Sequence, residues 1–307
     1  MVVEGEQPYR YRAAHHNVLD TIIAGSLAGA SAATLTAPLD LAKTRLQVQR
    51  VPKYEGIEFR RYAGLFGTLR RTFADEGARG WFKGLGSMLA GLVPSWAIYF
   101  STYNYLKERV SAADIFVHPT PTHIVSAMCA GAITSTITNP IWVIKTRLQT
   151  QVHSENPKYE GILHAFNKIL KQEGVRGLFR GLPVSLIGCI HVMIQFPLYE
   201  SLKTRFHKGN DSKLSVYEIL VSSVLAKVAA TSITYPHEVL RSRFQKFSRP
   251  GVSLNITNVV KDMILKEGYH VFYQGFGITL FRVIPTSGIT FAVYEYSLAA
   301  FDRWRHL

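Results

Sequence analysis

Long apolar stretches alternate along this chain with shorter polar, basic ones. Six apolar stretches run over 18–37, 84–105, 122–139, 181–199, 216–235 and 275–299. Each is near the ~20 residues that a helix needs to cross a hydrocarbon core. Shorter amphipathic stretches lie between the members of each pair, for example 165–172. These predict helices lying on a membrane surface. The expected fold class is therefore an all-α membrane protein with six transmembrane helices and three short surface helices.

The six stretches are not independent. Pro38-Leu-Asp-Leu-Ala-Lys43-Thr-Arg45-Leu-Gln47 recurs as Pro140-Ile-Trp-Val-Ile-Lys145-Thr-Arg147-Leu-Gln149 and as Pro236-His-Glu-Val-Leu-Arg241-Ser-Arg243-Phe-Gln245. The prolines are 102 and 96 residues apart. A second motif follows each: Glu76-Gly77 with Phe82-Lys83-Gly84, Glu173-Gly174 with Phe179-Arg180-Gly181, and Glu267-Gly268 with Tyr273-Gln274-Gly275. Two motifs recurring in phase, three times, mark internal repeats. The predicted organisation is a tail over 1–17 and repeats over 18–108, 121–206 and 214–303. Small residues such as Gly25 and Gly29 in the first stretch predict close helix packing.

Composition fits this picture. Of the 307 residues, 18% are charged, below the roughly 25% of soluble domains. Mean hydropathy is +0.07, intermediate, as for helices that also line a wet path. The net charge of +14 suits either nucleic acid or an anionic solute plus basic loops on one membrane face. No groove-reading or aromatic-basic motif accompanies it, so nucleic acid is not an expected partner. Basic residues crowd the segments inside repeats: Arg50, Lys53, Arg60, Arg61, Arg70, Arg71 and Arg79, then Lys158, Lys168, Lys171 and Arg176. Six spans put both termini on the opposite, less basic side. Cys129 and Cys189 lie in apolar stretches and suggest no disulfide framework. No catalytic triad, metal-ligand spacing or phosphate-binding loop is present, so neither an enzyme nor a cofactor or metal site is expected.

The repeated signature carries its own chemistry. Proline in a helix removes a backbone bond and kinks it, so three kinks are expected at equivalent positions. An acid and a base follow one turn apart, as Asp40 with Lys43 and Glu238 with Arg241. Charges at membrane depth are costly unless they pair or meet water. Threefold placement lets the acid of one helix reach the base of the next and close a ring.

These residues identify the chain as resembling the mitochondrial carrier family over nearly its whole length. The resemblance implies a pseudo-threefold six-helix barrel in the mitochondrial inner membrane, with three surface helices on the matrix side. It implies alternating access between two gates by a functional monomer. It assigns a matrix gate to Asp40, Lys43, Trp142, Lys145, Glu238 and Arg241, pairing Asp40 with Lys145 and Glu238 with Lys43. Trp142 leaves Arg241 without an acid. Glutamine braces fall at Gln47, Gln149 and Gln245. The opposite, cytoplasmic gate falls at Asn104, Lys107, Glu200, Lys203 and Glu295, where Leu298 replaces a base. Glu295–Lys107 is its one expected ion pair, so this gate is expected to latch less strongly. Gly84, Gly181 and Gly275 match positions that open the even helices at cardiolipin sites. Tyr62-Ala-Gly64 and Tyr159-Glu-Gly161 match as well, whereas the third copy has Ser253-Leu-Asn255.

The family's contact points fall at Gly91, Ile187 with Gly188, and Arg282. A mid-membrane arginine suits a phosphate. Lys227 is a second intramembrane charge, expected in the cavity rather than snorkelling. Trp96 either stacks on a ring or faces lipid; His191, with Gln195 one turn on, is either a site residue or a packing histidine. Trp142 in Pro-Ile-Trp-Val-Ile-Lys resembles the subgroup carrying NAD, pyrimidine nucleotides, folate or FAD. The runs 94–100, 191–200 and 234–241 look most like its NAD carriers. The implied substrate is NAD, exchanged for a nucleotide such as AMP or ADP; a pyrimidine nucleotide or FAD/folate remains the alternative.

Overall fold

The helical periods of the sequence set the architecture. The computed structural model describes residues 18–49, 53–54, 57–58, 62–114, 119–151, 158–206, 216–247 and 255–305. The expected tail 1–17 lies outside them. In chain order the helices are α1 (Val18–Leu35), α2 (Ala37–Val48), α3 (Gly64–Glu76), α4 (Leu85–Ala112), α5 (Pro119–Thr150) and α6 (Ile162–Glu173). Then come α7 (Val175–Leu178), α8 (Leu182–Gly188), α9 (Ile190–Phe206), α10 (Val216–Lys246), α11 (Ile256–Glu267) and α12 (Phe276–Arg305). A two-residue antiparallel hairpin, β1 (Lys53–Tyr54) with β2 (Ile57–Glu58), was not anticipated by the pattern.

Six spans result: α1 with α2, α4, α5, α8 with α9, α10, and α12. Three stretches, Pro121–Thr150, Val175–Phe206 and Tyr269–Trp304, are apolar enough to cross a membrane by hydropathy, and the bent pair Asp20–Leu35 and Ala37–Val48 makes a fourth. Helices α4 and α10 complete the set with 28 and 31 residues. Neighbours pack in sequence order, and α12 returns to α1 to close the barrel. Helices α3, α6 and α11 are the three surface helices. Each exposes a large apolar side chain, Phe66, Leu163 or Leu265, the face that a surface helix turns to lipid.

The expected threefold kink is realised as a helix break in the first copy only. There the chain bends 57° between α1 and α2, whereas α5 and α10 run on through Pro140 and Pro236. The residue before each proline differs in what it can hold. Asn139 donates Nδ2 to the Leu178 oxygen at 2.8 Å, and Tyr235 donates its hydroxyl to the Gln274 oxygen at 3.0 Å. Both bonds clamp the proline turn to the second half of the same repeat. Ala37 offers no such bond. The small-residue packing also differs from expectation. Gly29 does lie close to Leu92 of α4, but Gly25 faces open space. The buried stripe is Ala24, Ala28 and Ala32, four residues apart and so on one helix face.

The tight packing sits at the proline end. Three small clusters lie there, one per repeat. Ala42, Leu46 and Tyr62 form the first, together with Ile278 of the third repeat; Val143, Ile144 and Ile169 anchor the second; Tyr235, Val239 and Met263 anchor the third.

Candidate substrate cavity and ion-pair layer

The first and third proline motifs place an acid, a base and a glutamine on successive turns of one helix face; the second has Trp142 in the acid's place. Where the three faces meet, two ion pairs form between repeats. Lys145 Nζ lies 2.6 Å from Asp40 Oδ2, and Lys43 Nζ lies 2.6 Å from Glu238 Oε2. Asp40 is 4% exposed and takes two further partners. Gln149 donates Nε2 to it at 2.9 Å, and the Arg282 guanidinium pairs with its other oxygen. Such a carboxylate is held only because three donors replace its lost water.

The third position is different. The Trp142 indole donates Nε1 to Thr138 Oγ1 at 3.1 Å, and the Lys145 ammonium lies 5.3 Å from the ring centroid. Among the described residues Arg241 has no carboxylate partner. The glutamines diverge accordingly. Gln149 touches the carboxylate of an inter-repeat ion pair. Gln47 instead donates to the Tyr235 hydroxyl at 3.0 Å and accepts from Ser242 at 2.8 Å. Gln245 accepts from Thr146 at 2.8 Å, and its Nε2 is buried without a partner.

Above this layer opens a cavity of about 400 Å³ lined by Lys43, Gly188, His191, Lys227, Glu238 and Arg282, among others. His191 Nδ1 lies 3.0 Å from Thr234 Oγ1. Three other sequence-selected residues lie outside that lining. Gly91 is buried against Ile141 and Trp142. The Trp96 ring stacks on Phe100 with centroids 5.4 Å apart, and Ile187 is half exposed.

The opposite end is unlatched. No ion pair among the described residues joins Asn104, Lys107, Glu200, Lys203 or Glu295. Lys203 lies over the Tyr199 ring instead, and Tyr103 bonds His123 at 2.7 Å.

One set of contacts was not anticipated from sequence. The last arginine of each proline motif clasps the glutamate of the Glu-Gly motif in the same repeat. Arg45 reaches Glu76 Oε1 and Oε2 at 2.8 and 2.9 Å, Arg147 reaches Glu173 at 2.5 and 2.9 Å, and Arg243 reaches Glu267 at 2.6 and 2.8 Å. Lys83 and Arg180 add second cations to Glu76 and Glu173 at 2.8 and 3.0 Å. The signal was present: a charge and its opposite recur in phase, three times each.

The glycines that open the even helices have a packing reason. Gly84, Gly181 and Gly275 have φ of +80°, +81° and +82°, and each faces the backbone of the next repeat's proline helix. A Cβ on Gly84 would lie 2.7 Å from Gln149 Cγ. Glycine is required there by conformation and by space.

Comparison with known proteins agrees with this geometry. The family described as "Mitochondrial carrier protein" matches three times, over residues 14–113, 117–210 and 212–303. The Saccharomyces cerevisiae protein named "Mitochondrial nicotinamide adenine dinucleotide transporter 1" is 39% identical over 90% of this chain and 75% of its own. The Arabidopsis thaliana protein named "Nicotinamide adenine dinucleotide transporter 2, mitochondrial" is 38% identical over 98% of this chain and 84% of its own. "Solute carrier family 25 member 36-A" of Danio rerio is 34% identical over 90% of this chain and 96% of its own. A threefold helical barrel, a cation-lined cavity over inter-repeat ion pairs and three matches to one family lead to one conclusion: the chain belongs to the mitochondrial carrier protein family, as a multi-pass transport protein of the mitochondrial inner membrane.

Proposed function

We propose that this chain carries NAD across the inner membrane in exchange for a nucleotide such as AMP or ADP, by alternating access. One observation carries the reading: Arg282, Lys227, Lys43 and His191 line a single membrane-embedded cavity. Lys43 and Arg282 already meet Glu238 and Asp40. Lys227, however, has no ion pair among the described residues. A cation there is costly without an anion, and a pyrophosphate supplies one that a guanidinium also binds well. The two relatives named for NAD support the choice among nucleotides.

The ion-pair layer is assigned as the matrix gate, closed here, and the unlatched end as the cytoplasmic gate, open here. Arg282 links cavity and gate, because it shares Asp40 with Lys145. A phosphate that draws Arg282 away leaves Asp40 with one cation instead of two, which loosens the gate where the substrate has bound. This is the differential contact that coupling requires.

The protein is assigned cardiolipin as a lipid partner. The reading is supported by a hollow between Gly84–Ser87 and Tyr159–Gly161 and by a second around Gly64, Gly275 and Gly277. The third site would involve residues 253 and 254, which lie outside the described ones.

Exchange in liposomes tests the function. Vesicles preloaded with NAD, UTP or FAD are expected to take up labelled NAD or AMP against internal NAD. Exchange of UTP without NAD refutes the choice of substrate. Arg282→Ala is expected to abolish exchange while the protein stays folded in detergent; retained exchange removes Arg282 from the site.

A further inference from the structure

The two ion pairs that form obey one rule: the acid of each repeat meets the base of the next. Asp40 of the first meets Lys145 of the second, and Glu238 of the third meets Lys43 of the first. The rule assigns position 142 to Arg241, and position 142 is tryptophan. Its indole does not stand in for the acid, because it is turned to Thr138 and Lys145. The glutamines follow no such rule, since Gln47 donates to Tyr235 although Lys43 beside it has its carboxylate. Gln149 follows Lys145 by one turn and donates to that base's carboxylate. Gln245 follows Arg241 by one turn, and position 142 offers it no carboxylate.

Two buried donors are left over here. Arg241 Nε and Gln245 Nε2 are both inaccessible and without a hydrogen-bond partner. They lie four residues apart on α10, hence on one face, and Gln245 is only 3% exposed. The one carboxylate on the same turn, Glu238, is already held by Lys43 at 2.6 Å. The layer as a whole has two acids, Asp40 and Glu238, against four bases, Lys43, Lys145, Arg241 and Arg282. Arg241 as a residue is partly buried, but an inaccessible, unmet guanidinium Nε–H beside an unmet amide N–H is a penalty that an anion relieves.

We propose that Arg241 and Gln245 form an anion subsite that takes a phosphoryl group in place of the missing carboxylate, so that the third gate pair is completed by a bound solute. A planar guanidinium with a neighbouring amide N–H matches the fork of a phosphate better than a point charge. The subsite rests on the nucleotide reading only for who owns the phosphate.

Thermal unfolding of the purified full-length protein in detergent tests it, with pyrophosphate as the probe and NAD and AMP run in parallel. The wild-type melting midpoint is expected to rise with pyrophosphate. Losing a charge-assisted contact is expected to raise the half-effective concentration about tenfold or more in Arg241→Gln, with Arg241→Lys between. A wild type that ignores pyrophosphate, or an Arg241→Gln protein that responds as wild type does, overturns the proposal. If Arg241→Gln does not fold, Trp142→Asp decides. It supplies a resident carboxylate to an intact Arg241 and is expected to lose the response equally; a wild-type response there overturns the subsite. If pyrophosphate acts through Arg241 while neither NAD nor AMP stabilises or exchanges, the subsite stands and the NAD reading falls.

Discussion

Arg45 donates its Nε to the backbone oxygen of Gln149, 104 residues away, at 3.0 Å. Its other two nitrogens hold Glu76 and Thr72. The same relation recurs from Arg147 to the Gln245 oxygen at 3.1 Å and from Arg243 to the Gln47 oxygen at 3.1 Å. Each arginine thus joins a surface helix of its own repeat to the proline helix of the next. Three identical ties close a ring beneath the ion-pair layer, and the proline ends are fastened where the cavity floor must be firm.

Breaking one tie should be costly, because the glutamates are almost fully inaccessible. Glu173→Gln leaves Arg147 and Arg180 without their shared carboxylate. Loss of a buried ion pair by removing one partner costs about 3–5 kcal/mol. A marked fall in melting midpoint in detergent is the expected outcome; a change within experimental error would place the strength of this ring elsewhere.

The Glu76 clasp should make stability depend on acid. Burial pushes the Glu76 carboxyl up, but hydrogen bonds from Arg45 and Lys83, and then their charges, outweigh it and hold the group below its ordinary 4.5. A carboxyl depressed in the folded state contributes stability that is fully present above pH 4.5 and lost as pH falls through the lower folded value. Melting midpoints from pH 7 to 3 should decline below that point. Glu76→Gln should start lower and lose part of the acid dependence.

Gly84→Ala should destabilise the junction of the first and second repeats. It forces a Cβ onto a backbone with φ of +80° and against Gln149 Cγ at 2.7 Å. Strain of this kind costs about 1–3 kcal/mol per residue, before Gln149 is displaced. Because Gln149 also holds Asp40, transport activity should fall with stability. Gly25→Ala, facing open space, should leave the melting midpoint nearly unchanged.

Gln274 is the third-repeat counterpart of Lys83 and Arg180. Its side-chain amide is buried with neither atom bonded. Gln274→Lys should place an ammonium near Glu267, as Lys83 sits by Glu76. A buried unmet polar group costs about 1–3 kcal/mol, so the variant is expected to melt higher than wild type. A lower midpoint would show that this pocket cannot admit the longer side chain.

The sequence by itself determined the repeat, and through it most of the fold. Two motifs in phase, each next to an apolar stretch of membrane length, allow little besides three helix pairs. The two ion pairs were also legible, because acids and bases one turn apart in threefold copies have few other partners. What only the tertiary structure decided depends on distance across repeats. Proline spacing could not tell that α1 and α2 bend apart while α5 and α10 run through. It could not tell either that Asn139 and Tyr235, before their prolines, each reach a backbone oxygen of the second half of their repeat, which Ala37 cannot do. Nor could it tell that Arg282 shares Asp40, that Gln47 turns to Tyr235, or that Gln245 and Arg241 are left with unmet donors. A motif fixes which groups are present on a helix face. Which of them meet is settled by angstrom-scale packing between helices about a hundred residues apart, where a hydrogen bond is made or lost within about 0.5 Å.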